Sequence, residues 1–238
     1  MNLVIDAVLA GKIAPLGSQG KRSAIHKVAL SARVRVGETG LDGDHQYERK
    51  HHGGPEKALH HYSRDHYAAW RDEWPEASAE TVGLMRFDAP GAFGENISTS
   101  GLNETDVCVG DVYRLGTVIV QVSQPRQPCW KLNVHFSRDD MSRRVQDTRR
   151  TGWYYRVLEP GEVAAGDPVE RLARPHADWS IERLLRVFYV DRDDREALEE
   201  MATLEALTPS WRSTAAKRLE SGKTESWSTR LNTPASAK

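Results

Sequence analysis

The 238-residue sequence predicts a mostly β protein with helices: a closed or nearly closed β-barrel over residues 1–175, then a small three-helix bundle and tail over 176–238. Three observations carry this. Up to about residue 173 the apolar residues fall in short alternating runs broken by Gly and Pro, the period of strands. From Asp178 onward the period turns helical. Charged residues make up 28% and hydrophobic ones 39%, a composition able to fill a core. Many short strands favour closure because a closed sheet exposes no edges.

In chain order, Ser63 is placed to cap a helix over 64–74, with Tyr67, Trp70 and Trp74 three and four residues apart. Val107 to Tyr113 and Leu115 to Val122 form a hairpin turning at Gly116; Val118, Val120 and Val122 share one face, and Cys108 is core filler between Val107 and Val109. Asp139 or Asp140 begins a helix carrying Met141 and Val145, which Gly152 ends. Trp153 to Leu158 is a further strand, turning at residues 159–162 into Val163. Gly43-Asp44, Gly110-Asp111 and Gly166-Asp167 are turns beside strands.

After Asp178, Ile181, Leu184, Leu185 and Phe188 make one helical stripe, and Leu198, Met201 and Leu204 a second. Thr208-Pro209 opens a third helix with Trp211, Ala215 and Leu219. Three short helices invite a DNA-reading interpretation, but residues 178–222 hold ten acids against seven bases, the wrong sign for it. They form a packing or protein-docking bundle instead.

Lys plus Arg (33) nearly cancel Asp plus Glu (34), which argues against a nucleic-acid or anionic-membrane partner. No apolar run approaches the ~20 residues of a membrane span. The start lacks the basic and apolar segments of a secretion signal, so the cytoplasm is the expected compartment. Cys108 and Cys129 are too few for a disulfide framework or an ordinary iron–sulfur cluster, so electrons for any redox chemistry come from outside the chain.

The segment with most chemistry in it runs from Val122 to Leu132. A strand enters a loop that two prolines, Pro125 and Pro128, stiffen around Arg126 and Cys129. Arg126 and Lys131 favour the thiolate, the form that acts as nucleophile or metal ligand. A second segment, 40–62, holds much of the histidine: six of the nine lie between 45 and 66. Adjacent strand residues face opposite ways, so His60 and His61 cannot both ligate from one side, and no HExxH spacing occurs. Gly53-Gly54 followed by Lys57 is compatible with a plain turn or with a backbone cradle for a phosphate. A third, Phe93-Gly-Glu95-Asn96, is compatible with polar cavity lining or with a loop bonding to itself.

Together and in this order, these pieces resemble the MOSC family, the molybdenum-cofactor sulfurase C-terminal domain. The matching residues are Gly43-Asp44, His52-Gly-Gly-x-x-Lys57-Ala, Phe93-Gly-Glu-Asn96, Val109-Gly-Asp111, Pro125-Arg-x-Pro-Cys129-x-Lys-Leu132, Gly152-Trp-Tyr-x-Arg156-Val-Leu158 and Gly166-Asp167. The helical end resembles the appendage of the YiiM-like subgroup. The resemblance implies a MOSC-type β-barrel binding a molybdopterin-type molybdenum cofactor, with Cys129 ligating the metal. It also implies reduction of N-hydroxylated compounds such as 6-hydroxylaminopurine and amidoximes. His52, Gly53, Gly54, Lys57, Asn96 and Arg126 are the cofactor-binding candidates, and Arg156 is either a residue behind them or a strand salt-bridge partner. A separate electron-donor redox protein is then required, docked on the helices or barrel rim, and a homodimer is expected. Two rival readings are a sulfur carrier or transferase holding a Cys129 persulfide, and a non-catalytic module binding an anion or cofactor.

Overall fold

The computed structural model describes residues 3–17, 21–47, 53–74 and 86–235. Its strands are β1 (Ala7–Ala10), β2 (Ala14–Leu16), β3 (Lys21–Ser23), β4 (Val28–Ala29), β5 (Val34–Gly37), β6 (Gly40–Leu41) and β7 (Leu59–Ser63). These are followed by β8 (Ile97–Thr99), β9 (Val112–Leu115), β10 (Val118–Pro125), β11 (Trp153–Glu159), β12 (Gly161–Val163) and β13 (Val169–Ala173). The helices are α1 (Asp65–Asp72), α2 (Lys131–Phe136), α3 (Met141–Thr148), α4 (Ile181–Tyr189), α5 (Arg195–Thr203), α6 (Pro209–Ser221) and α7 (Ser228–Leu231). None is long and apolar enough to cross a membrane.

Eight strands form one sheet in the order β13-β9-β10-β11-β7-β8-β1-β4, antiparallel except for the parallel β7–β8 pair. The sheet curls until the residues leading into β1 meet those leading into β13. Ile5 N donates to Asp167 O (2.9 Å), Gly166 N to Ile5 O (2.8 Å) and Val169 N to Leu3 O (2.9 Å), with a bridge between Val4 and Pro168. That seam makes the expected barrel and covers backbone groups that an open edge would leave bare. The β9–β10 hairpin turns at Gly116, in the left-handed region at φ 62°. Val118, Val120 and Val122 are fully buried, while Ile119 and Gln121 between them are partly exposed. The three Gly-Asp turns also have left-handed glycines, at φ 80° (Gly43), 82° (Gly110) and 86° (Gly166).

Two helix boundaries differ from expectation. Ser63 remains in β7 and α1 starts at Asp65, because Ser63 continues the parallel ladder opposite Thr99; its hydroxyl still accepts from Asp65 N at 3.3 Å. Met141 to Thr148 forms α3 as expected, but Arg149 in left-handed backbone (φ 59°) ends it, and Gly152 lies beyond it at the mouth of β11.

In the C-terminal region, Ser180 and Asp194 cap α4 and α5, their side chains accepting from Arg183 N and Ala197 N at 3.1 Å. Thr208 stands at the cap position of α6, but its hydroxyl donates to Gln124 Oε1 of β10 at 3.0 Å instead. The apolar faces of α4–α6 join the barrel interior in a single cluster running from Val8 and Val120 to Leu185, Met201 and Trp211. Each large side chain in it contributes roughly 1.5–3 kcal/mol of burial. A second, aromatic cluster packs α1, α2 and α3 together through Tyr62, Trp70, Phe87, Phe93 and Phe136.

Candidate functional site

β10 ends at Pro125, paired with Trp153 of β11, and the chain then leaves the sheet. Arg126 N donates to Gly152 O at 3.0 Å, keeping the new loop against the mouth of β11. Gly152 is required there: a Cβ on it would stand 2.2 Å from His61 O and 2.9 Å from His60 Nε2. Cys129 follows Pro128, and its carbonyl accepts from Leu132 N at 3.0 Å as α2 begins. The thiol-bearing residue is half-buried and lines a cleft of about 690 Å³, counting the solvent at its mouth.

The cleft is cationic. Lys27, Lys57, Arg126 and Lys131 line it with His45 and His60, and no carboxylate is among its described lining residues. Arg126 is 6% exposed, and its Nη1 has no hydrogen-bond partner among the described residues; burial pushes the Tyr154 phenol up, and the Arg126 charge opposes that. A buried, unpaired guanidinium N–H is costly unless an acceptor fills the space beside it. Burial pushes Lys57 below the usual lysine range. His60 lies well below the imidazole range, through burial first and the Arg126 charge second, so its ring enters the site neutral.

Lys27 is held differently. Its ammonium bonds Asp44 Oδ2 at 2.6 Å, and Asp44 also accepts from Gly11 N (2.7 Å) and the Asn96 amide (2.9 Å). Burial lowers the Lys27 pKa, and the Asp44 carboxylate partly opposes that. The Asn96 amide also donates to Leu9 O (3.1 Å), and its oxygen accepts from His60 N (3.1 Å). Asn96 therefore lines the cleft with both its donors committed to protein oxygens.

Of the residues singled out in the sequence, Cys129, Arg126, Lys57 and Asn96 meet in this cleft. Gly53 and Gly54 do not line it; they precede the single helical turn Pro55–Lys57 that carries Lys57 to the wall, with Gly54 at φ 87°. His52 lies outside the described residues. Glu95 takes the second of its two readings, the loop that bonds to itself: it is buried, accepting from the Tyr67 hydroxyl (2.5 Å), Gly91 N (2.6 Å) and Phe93 N (3.0 Å), because a carboxylate suits a turn rich in free amides. Of its two readings, Arg156 takes the ion pair: it bonds Glu56 Oε2 (2.5 Å) and Gln121 (2.7 Å), pinning the turn that bears Lys57. His60 faces the cleft while His61 faces the barrel interior, bonded to Tyr155 (3.0 Å) and Thr99 (2.8 Å).

Lys27, Tyr154 and His60 as cleft residues were missed in the sequence. Tyr154 could have been found from alternation, since Trp153 and Tyr155 are core and Tyr154 must face away. Lys27 carried no local signal.

The pattern of the MOSC domain matches residues 48–170, and that of the YiiM-like, 3-alpha helix domain matches residues 179–222. Protein YiiM of Escherichia coli is 42% identical over 224 residues, covering 94% of this chain and 96% of that protein. Its crystal structure superimposes with a TM-score of 0.80 at 36% identity, covering 98% of this chain and all of that one. A protein of Gibberella moniliformis named reductase is 39% identical over 187 residues, which are 77% of this chain and 32% of that protein.

Proposed function

The chain belongs to the MOSC family, with the YiiM-like helical extension, and from that premise we propose that it is a molybdenum-cofactor-dependent reductase of N-hydroxylated compounds. The observation that carries the proposal is Cys129 on the wall of a cationic cleft with no carboxylate among its described lining residues, beside the buried Arg126 Nη1, which has no acceptor among the described residues. Among the described residues, no group of three or more His, Cys, Asp or Glu is placed to hold a metal ion. One soft sulfur beside cations fits a metal carried in by an anionic organic group better than one caged by protein ligands. The relative named reductase supports a redox role, though that name belongs to a protein of which this chain matches 32%.

When bound, the cofactor supplies two-electron chemistry that removes the oxygen of an N–OH group and releases an amine or amidine with water. The chain's own residues then have separable tasks. Cys129 contributes the sulfur ligand. Arg126, through an Nη1 with no acceptor among the described residues, and Lys57, as a point charge, would hold the phosphate of the pterin. Neutral His60 and the Tyr154 hydroxyl provide hydrogen bonds without a competing negative charge. The Asp44–Lys27–Asn96 set keeps the floor rigid. A separate redox protein delivers electrons, a cytoplasmic setting suits that delivery, and a second copy of the chain completes a homodimer.

The experiment is reduction of 6-hydroxylaminopurine by protein loaded in a cofactor-competent host. The wild type is expected to turn over and Cys129→Ala to be inactive. Full activity in Cys129→Ala, or cyanide-releasable sulfur on a molybdenum-free wild type, would overturn the proposal.

A further inference from the structure

The cysteine loop is held from outside the barrel. Trp130 N donates to Arg230 O at 2.7 Å, and the Arg230 guanidinium returns a bond from Nη1 to Pro128 O. Its Nη2 donates to Gln146 Oε1 of α3 at 2.6 Å. Tyr189 of α4 lies with its ring 5.8 Å from the same guanidinium. The residues on both sides of Cys129 are thus tied to the C-terminal region, which sits about a hundred positions further along the chain. Asn133 and Ser142 extend the attachment, both donating to Leu231 O, at 3.0 and 2.7 Å.

We propose that Arg230 is a positioning residue for the Cys129 thiol, and that the tail beyond the three helices is a strap setting the sulfur's place in the cleft. This rests on the cofactor reading for its purpose but not for its geometry. A loop with prolines at two positions has few amide donors of its own, so its carbonyls need donors from elsewhere. A guanidinium suits the task because its planar fork holds two acceptors at a fixed separation; an ammonium does not. Arg230 does not line the cleft, and its hydrogen bonds to the loop are to Pro128 and Trp130, so its influence on Cys129 passes through them.

The test uses metal-free full-length protein and N-ethylmaleimide, following alkylation of Cys129 and Cys108 separately by mass spectrometry. Cys108, 2% exposed, reports any general loosening of the fold. Arg230→Ala is expected to speed Cys129 alkylation about tenfold with Cys108 unchanged, the size of one lost charge-assisted bond. Arg230→Lys should fall between it and the wild type. In loaded protein, Arg230→Ala should release molybdenum faster on dialysis. If Arg230→Ala yields no folded chain, Gln146→Ala, which removes one of its acceptors, is held to the same outcomes. An unchanged Cys129 rate overturns the proposal, and so does a parallel rise at Cys108. Molybdenum retained by Cys129→Ala would instead remove the cofactor reading and leave the alkylation result standing.

Discussion

Cys108 and Cys129 flank the same long strand in different surroundings. Cys108 lies beside β10, between Val107 and Val109, 2% exposed, its Sγ donating to Ala177 O at 3.4 Å. Burial pushes that thiol up, keeping it protonated and inert. Cys129 lies just past the end of β10, where the chain has left the sheet, with Arg126 and Lys131 lining the same cleft. The two thiols are chemically equal, so the sheet decides their surroundings: alternation and apolar neighbours make one a small hydrophobe, and a proline-bound loop places the other among the cations of the cleft, where the proposed function needs a ligand.

The sharpest way to break this comparison is to delete each sulfur. Cys129→Ala should lower kcat/KM for N-hydroxypurine reduction by about a thousandfold or more. Cys108→Ala should leave it within about twofold, a contrast steady-state kinetics reads directly. Next in size is the buried floor. Asp44→Ala strands the Lys27 ammonium and should cost about 3 kcal/mol in urea denaturation, as expected for one partner removed from a buried ion pair.

Acid sharpens the difference between cleft and core. Burial holds His61 at about 3 against an ordinary 6.5. Stability from keeping it neutral is therefore complete above pH 6.5 and lost as pH falls toward 3. The loss should be on the order of a few kcal/mol, and His61→Gln should flatten the pH slope of unfolding by about one proton. Arg126→Met, which deletes the unpaired Nη1, should weaken uptake of isolated molybdenum cofactor by metal-free protein roughly tenfold or more, measured as metal retained after gel filtration. The smallest effect is Cys108→Ala on stability, about 1 kcal/mol by thermal denaturation.

Much of this was legible because it is local. The β9–β10 hairpin declared itself by alternating valines and Gly116, and α4 and α5 by the apolar stripes Ile181 to Phe188 and Leu198 to Leu204. The Cys129 loop was visible because prolines beside a thiol and cations are unusual in core sequence. What stayed hidden joins distant parts of the chain. The seam at residues 3–5 and 166–169, the Asp44 grip on Lys27, and the Arg230 strap are contacts between segments that carry no mark of their partners. Ser63 misled because it has the chemistry of a helix cap, while the parallel ladder with β8 fixes its backbone as strand.

The central claim is that the Cys129 sulfur is the protein's attachment to molybdenum. Elemental analysis of wild type, Cys108→Ala and Cys129→Ala, each freshly purified from a cofactor-competent host, tests it most directly. The account predicts about one molybdenum per chain in the first two proteins and background in the third. Equal molybdenum in all three would contradict it.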